Sequence, residues 1–154
     1  MAQMQKVRKE GYDMYIKQIS VFVENKAGRL AEITAVIAEK GINVRALSVS
    51  DTTDFGILRL VVDKPEEAMG LLKEAGLTVS LNNVIAIAVQ DIPGGFASVV
   101  KVLADAGITV EYIYAFIART QGSGYVILKV NNDEAAMDAL GKAGIETLGE
   151  GDIA

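Results

Sequence analysis

Hydrophobic positions alternate along the start of the chain, with Ile19, Val21 and Val23 set against Gln18 and Ser20. That period of two predicts a strand over Ile16–Glu24 with one face buried. After Gly28 the period lengthens: Leu30, Ile33, Val36 and Ile37 fall on one side of a helix, which Gly41 ends as a left-handed C-cap residue would. A second strand is expected over 44–50, a turn over 51–54 and a third strand over 56–63. Pro65 then opens a helix at a position where its missing N–H costs nothing. That helix presents Met69, Leu72 and Ala75, stops at Gly76, and leads into a short fourth strand over 78–81. The order is βαββαβ, which predicts a four-stranded antiparallel sheet with both helices on one face.

The same pattern then repeats. A shift of 66 residues lays Gly28 on Gly94, Gly41 on Gly107 and Ile42 on Ile108, and carries Ile19, Val21 and Val23 onto Ile85, Ile87 and Val89. From the third strand onward the shift is 68: Leu58, Leu60 and Val62 meet Val126, Leu128 and Val130, and Ala68-Met69 meets Ala136-Met137. The change implies a two-residue insertion around 120–123, in a Gly/Ser-rich turn where loops tolerate it. Registered glycines and a matched Ala-Met pair indicate duplication. The expected fold class is α+β, with two tandem ferredoxin-like βαββαβ units. The expected organisation is a mobile leader over 1–13, a first domain over 14–82 and a second over 83–154.

Composition narrows the chemistry. Of 154 residues, half are hydrophobic, and neither Cys nor His is present. Their absence removes disulfides, Cys/His metal sites, thiolate nucleophiles and His-assisted triads, so no catalytic residue, metal site or cofactor is expected. The lack of cysteine fits a cytoplasmic protein. A net charge of −5 without a basic stripe argues against nucleic acid. The apolar runs are too short for a membrane span.

The segment between first strand and first helix is Glu24-Asn25-Lys26-Ala27-Gly28-Arg29-Leu30, and its counterpart is Gln90-Asp91-Ile92-Pro93-Gly94-Gly95-Phe96. A glycine lets the backbone turn tightly, and a helix start leaves N–H groups unpaired, which suits a carboxylate. The Asn25 side chain both donates and accepts, so it could meet an α-amino group. Asn25 and Asp91 are equally suited to capping the helices, and that reading competes with ligand contact. Asn43, in Gly41-Ile42-Asn43-Val44, lies at the far end of the helix from Asn25. It either holds its own turn or reaches a neighbouring unit.

These runs, Ile19–Val23 with Asn25-Lys26-Ala27-Gly28-Arg29-Leu30 and then Gly41-Ile42-Asn43-Val44, resemble an ACT domain. Asp91-Ile92-Pro93-Gly94 is closer still to that family's Asp/Asn-x-Pro-Gly loop. The resemblance spans nearly everything from Met14 onward, twice. It implies a non-catalytic, allosteric regulatory module that binds a small amino acid or analogue at an interface between paired units. The implied contacts are Asn25, Ala27, Gly28, Arg29 and Leu30, met by Asn43 and Val44 of another unit. In the second repeat they are Asp91, Pro93, Gly94, Gly95 and Phe96, with Thr109. Serine-sensing members carry Asn at both key positions, and the first repeat keeps both. The second repeat departs: Asp91 would repel a ligand carboxylate but attract an amino group, and Thr109 replaces the second Asn, which argues against a fully equivalent second site. Ala27 stands where the family often has Pro.

Two other roles compete. A subunit of a separately encoded metabolic enzyme, with no ligand of its own, would share every one of these features. An RNA-recognition domain shares βαββαβ and stacks bases on sheet aromatics, as Tyr112, Tyr114 and Phe116 could. Their repeat-1 counterparts are Ala46, Ser48 and Ser50, and the flanking cations such a domain needs are missing. The sheet face away from the helices should carry Phe22, Ile57 and Val61, then Tyr112, Tyr114, Phe116, Tyr125 and Ile127. An apolar face of that extent predicts a homodimer.

Overall fold

In a computed structural model, residues 15–51, 55–117 and 122–152 are described. The leader over 1–13, most of the turn over 51–54 and part of the insertion at 120–123 lie outside them. The chain divides into two compact units, one of Lys17–Asn83 and one of Val84–Asp152 that also takes in Tyr15 and Ile16.

In the first unit the elements are β1 (Ile16–Glu24), α1 (Arg29–Ala38), β2 (Val44–Asp51), β3 (Phe55–Val62), α2 (Pro65–Glu74) and the beginning of β4 (Val79–Gln90). The strand order is β2-β3-β1-β4. β3 runs antiparallel to both neighbours, with Val21 opposite Leu58 and Val49 opposite Leu58 on its other side. Beside β1, the Phe22 N–H donates to the Thr78 carbonyl at 3.0 Å. The alternation in β1 sends Ile19, Val21 and Val23 to one face. There they bury against Ile33 and Ile37 of α1, Ala68 and Leu72 of α2, and Leu58, Leu60 and Val62 of β3. Gly41 adopts φ 70°, and the Ile42 N–H reaches back to the Ile37 carbonyl, so the glycine does terminate α1 by a left-handed turn.

The second unit repeats this with β4 from Val84 on, α3 (Gly95–Asp105), β5 (Val110–Ala115), β6 (Ser123–Val130), α4 (Asp133–Lys142) and β7 (Thr147–Leu148), in the order β7-β4-β6-β5. Its core of Ile85, Ile87, Val89, Val99, Leu103, Leu128, Val130, Ala136 and Leu140 is the first core transposed by the two shifts. Two βαββαβ units with helices on one face are therefore present.

Several details differ from expectation. The fourth strand does not end at residue 81: β4 runs without a break for 12 residues, from Val79 to Gln90. Alternation across Val79, Leu81 and Ile85 through the polar Asn82-Asn83 pair hides that continuity. In α2 the buried residues are Pro65, Ala68 and Leu72, while Ala75 is exposed just beyond the helix, because the helix ends before its third apolar position. Both units carry a β-bulge at the same register, at Val44/Ala46 and Val110/Tyr112. The bulge takes up Arg45 and Glu111 and turns Tyr112, Tyr114 and Phe116 to the face away from the helices. That face is not bare, since Val61 and Ile127 on it are fully buried and the tyrosines are half-buried.

Candidate functional site

The approach to α1 is set by Gly28, whose φ of 83° places it in the left-handed region, and Gly94 repeats it with the same φ before α3. No side chain caps either helix. The capping role for Asn25 and Asp91 is thus taken instead by backbone: the Arg29 N–H donates to Lys26 carbonyl at 3.2 Å, and the Glu32 N–H to Gly28 carbonyl at 3.0 Å. The intervening N–H groups, of Leu30 and Ala31, have no backbone acceptor in this turn. The helix dipole adds to their preference for a negative group.

Beside this turn lies a cavity of about 150 Å³ lined by Val23, Glu24, Asn25, Lys26, Arg29, Leu30, Val49 and Gly56. Gly56 stands opposite Val23 in the β1–β3 pairing, and its missing side chain leaves room at the floor. Val49 reaches the cavity from β2, the outer strand of the unit. Arg29 pairs with Glu32 through Nη1 at 3.1 Å, while its Nε is buried without a partner. Lys26 lies 3.9 Å from Glu24 and is largely exposed. The cavity thus joins an apolar floor to a rim of amide donors and two cations, a chemistry suited to a carboxylate attached to an apolar group.

Of the residues singled out from the sequence, Asn25, Arg29 and Leu30 come together here, with Gly28 and Ala27 in the adjoining turn. Asn43 and Val44 do not, for they lie beyond the other end of α1. There the Asn43 N–H donates to Asp63 Oδ1 at 2.9 Å, and the Asp63 N–H returns to the Asn43 carbonyl at 3.2 Å. This two-bond clamp leaves the exposed side chain of Asn43 outside it. In the second unit the Thr109 N–H donates to Asn131 Oδ1 at 3.0 Å, and the Asn131 N–H to the Thr109 carbonyl at 3.1 Å. Asp91, Pro93, Gly94 and Phe96 are exposed. Gly95 of the second set lines a cavity of about 360 Å³ together with Gln90, Ser98, Ser123 and Glu146.

Sequence reasoning missed Lys26, Val49, Gly56 and Asp63. The pair of cations in Lys26-Ala27-Gly28-Arg29 was a legible signal, whereas Val49 and Gly56 join the site only through strand register. The aromatics on the far face pack on one another: Tyr112 stacks on Tyr114 at 6.3 Å and Phe116 meets Tyr125 edge-on at 6.0 Å. Among the described residues no group of three or more His, Cys, Asp or Glu could hold a metal ion. No helix among them is long and apolar enough to cross a membrane.

The duplicated βαββαβ fold is that of a tandem regulatory module. The chain belongs to the family of ACT domain pairs, which matches residues 14–154. It is similar to the solved structure of protein BT0572 from Bacteroides thetaiotaomicron, with 33% identity, a TM-score of 0.87, and 93% of this chain and 98% of that one covered. The regulatory subunit of aspartate kinase from Thermus thermophilus, in a ligand-free form, shares the fold at 22% identity and a TM-score of 0.63, over 85% of this chain and 93% of that one. A structure of aspartokinase alpha and beta subunits does so at 20% identity and 0.56, over 83% and 91%. A search of curated protein sequences returns no match. ACT domains are non-catalytic regulatory modules that respond to amino acids, and that general role applies to this chain.

Proposed function

We propose that this chain, with ACT units over 14–82 and 83–154, is a regulatory subunit of a separately encoded metabolic enzyme. In this reading it reports the level of a small amino acid held at the start of α1. The observation that carries the reading is the cavity beside Asn25, Arg29 and Leu30, where free amides and cations surround an apolar floor. Asn25 meets the ligand amino group, and the Asn43 turn of a second copy of the chain completes the site. The exposed Leu30 and Val49 at the cavity, with exposed Phe55 next to Gly56 in the chain, support assembly, because a patch of large apolar side chains usually marks an interface. The regulatory subunit of aspartate kinase from Thermus thermophilus, which shares the fold, supports the assignment to a subunit.

Thermal denaturation of the full chain with each proteinogenic amino acid in turn tests this. A ligand at about 100 times its dissociation constant should stabilise by about 2.7 kcal/mol. Asn25→Ala should remove the response of the one or few amino acids that give it. The second reading, a subunit with no ligand of its own, rests on the same exposed apolar rim. It predicts no shift with any amino acid.

A further inference from the structure

We infer that the chain holds one amino-acid site, not two, and that this site, in the first repeat, selects an aliphatic amino acid. The inference rests on the function proposed above and names its ligand class. The two repeats share a fold, a left-handed glycine and a pair of free amides, so a comparison position by position isolates what differs. Lys26 is matched by Ile92, Arg29 by Gly95, Asn25 by Asp91 and Val49 by Ala115. Glu24 is matched by Gln90, so the second loop loses both cations and its one anion moves from the position of Glu24 to that of Asn25. The second loop therefore offers a ligand carboxylate no cation, while Asp91, at the position of Asn25, would face the ligand amino group.

The two helix starts also differ in build. A Cβ built on Gly95 would lie 2.1 Å from the Gln90 carbonyl oxygen, so the start of α3 sits directly on the end of β4. Arg29 occupies the same position in the first repeat and carries a full side chain. The start of α1 therefore stands off the end of β1 beside its cavity, whereas the cavity of about 360 Å³ beside Gly95 is lined by Gln90, Ser98, Ser123 and Glu146 and by no cation. The floor of the cavity beside α1 is Val23, Leu30 and Val49 with the bare backbone of Gly56. At about 150 Å³ it is of the size that takes a benzene ring in an engineered apolar cavity. That volume fits a branched aliphatic side chain, with its carboxylate at the rim. The buried, unpaired Arg29 Nε then gains an acceptor. A serine or aspartate side chain would bury polar atoms against three aliphatic walls without partners.

Titration calorimetry of the full chain with L-valine, L-leucine, L-serine and L-aspartate tests this, with isovalerate and isobutylamine as probes of the two head groups. The expected result is one equivalent of valine or leucine per chain, with serine and aspartate weaker by about tenfold or more. Arg29→Gly should weaken binding by at least that factor, and Val49→Phe should abolish it by filling the cavity while leaving the melting temperature unchanged. Asp91→Asn should change nothing. Two equivalents per chain, tighter binding of serine or aspartate, or loss of binding in Asp91→Asn would each overturn the inference while leaving an amino-acid sensor standing. No binding by any amino acid would overturn both.

Discussion

The clamp between Asn43 and Asp63 gives the sharpest test of the structure. Asp63→Ala removes the carboxylate that accepts the Asn43 N–H at 2.9 Å, but leaves the reciprocal backbone bond at 3.2 Å in place. A hydrogen bond to a charged acceptor contributes about 1.5–3 kcal/mol. Asn43 is exposed, so water can take up the freed N–H, and the expected loss falls below that range, at about 1 kcal/mol. For a chain of this length that corresponds to a melting temperature lower by about 2–4 °C. The second repeat supplies its own control, because Asn131 performs the same task as a neutral amide at 3.0 Å. Asp63→Asn should therefore lie within about 0.5 kcal/mol of the unchanged protein. Urea unfolding followed by far-ultraviolet circular dichroism measures both variants, and it needs no tryptophan, which the chain lacks. If Asp63→Ala is as stable as the parent, the side chain is not holding the turn. Equal damage from Asp63→Asn would mean that charge, not acceptor position, is what matters.

Further outcomes follow from packing and charge. Leu72 and Leu140 are equivalent and fully buried, so either Leu→Ala change should cost about 2–5 kcal/mol by urea titration, and a difference beyond that spread would deny the equivalence of the two cores. Gly28→Ala meets open space and only a left-handed backbone, a cost of about 1–2 kcal/mol, whereas Gly95→Ala forces a methyl against the Gln90 carbonyl and should destabilise more. The hydrogen bond from Lys17 holds the Glu66 carboxyl below its ordinary value of 4.5. Its contribution is present above that pH and is lost as pH falls through the lowered value. Lys17→Met should therefore flatten the acid limb of stability by less than about 1 kcal/mol, since both groups are exposed. Burial, reinforced by Asp133 and Glu134, raises the Tyr15 hydroxyl above 10.0, so stability should decline as pH rises past that value, and Tyr15→Phe should remove that part of the decline.

Period and punctuation alone determine the architecture of this chain. Ile19, Val21 and Val23 must share a face, Gly41 and Gly107 must end helices, and the registered repeat makes the two cores transposed copies. The Asn25 loop was equally legible as a place where a backbone turn meets a helix start. What no local pattern contains is pairing across distance. A strand can be read from its own residues, but Gly56 becomes the floor of a cavity only because β3 pairs with β1 so that it faces Val23. Val49 reaches that cavity only because a bulge at Val44/Ala46 resets which side β2 presents. Arg29 and Gly95 occupy one position in the repeat. How each helix start stands to its strand end, and so how each cavity is lined, is set by tertiary packing alone.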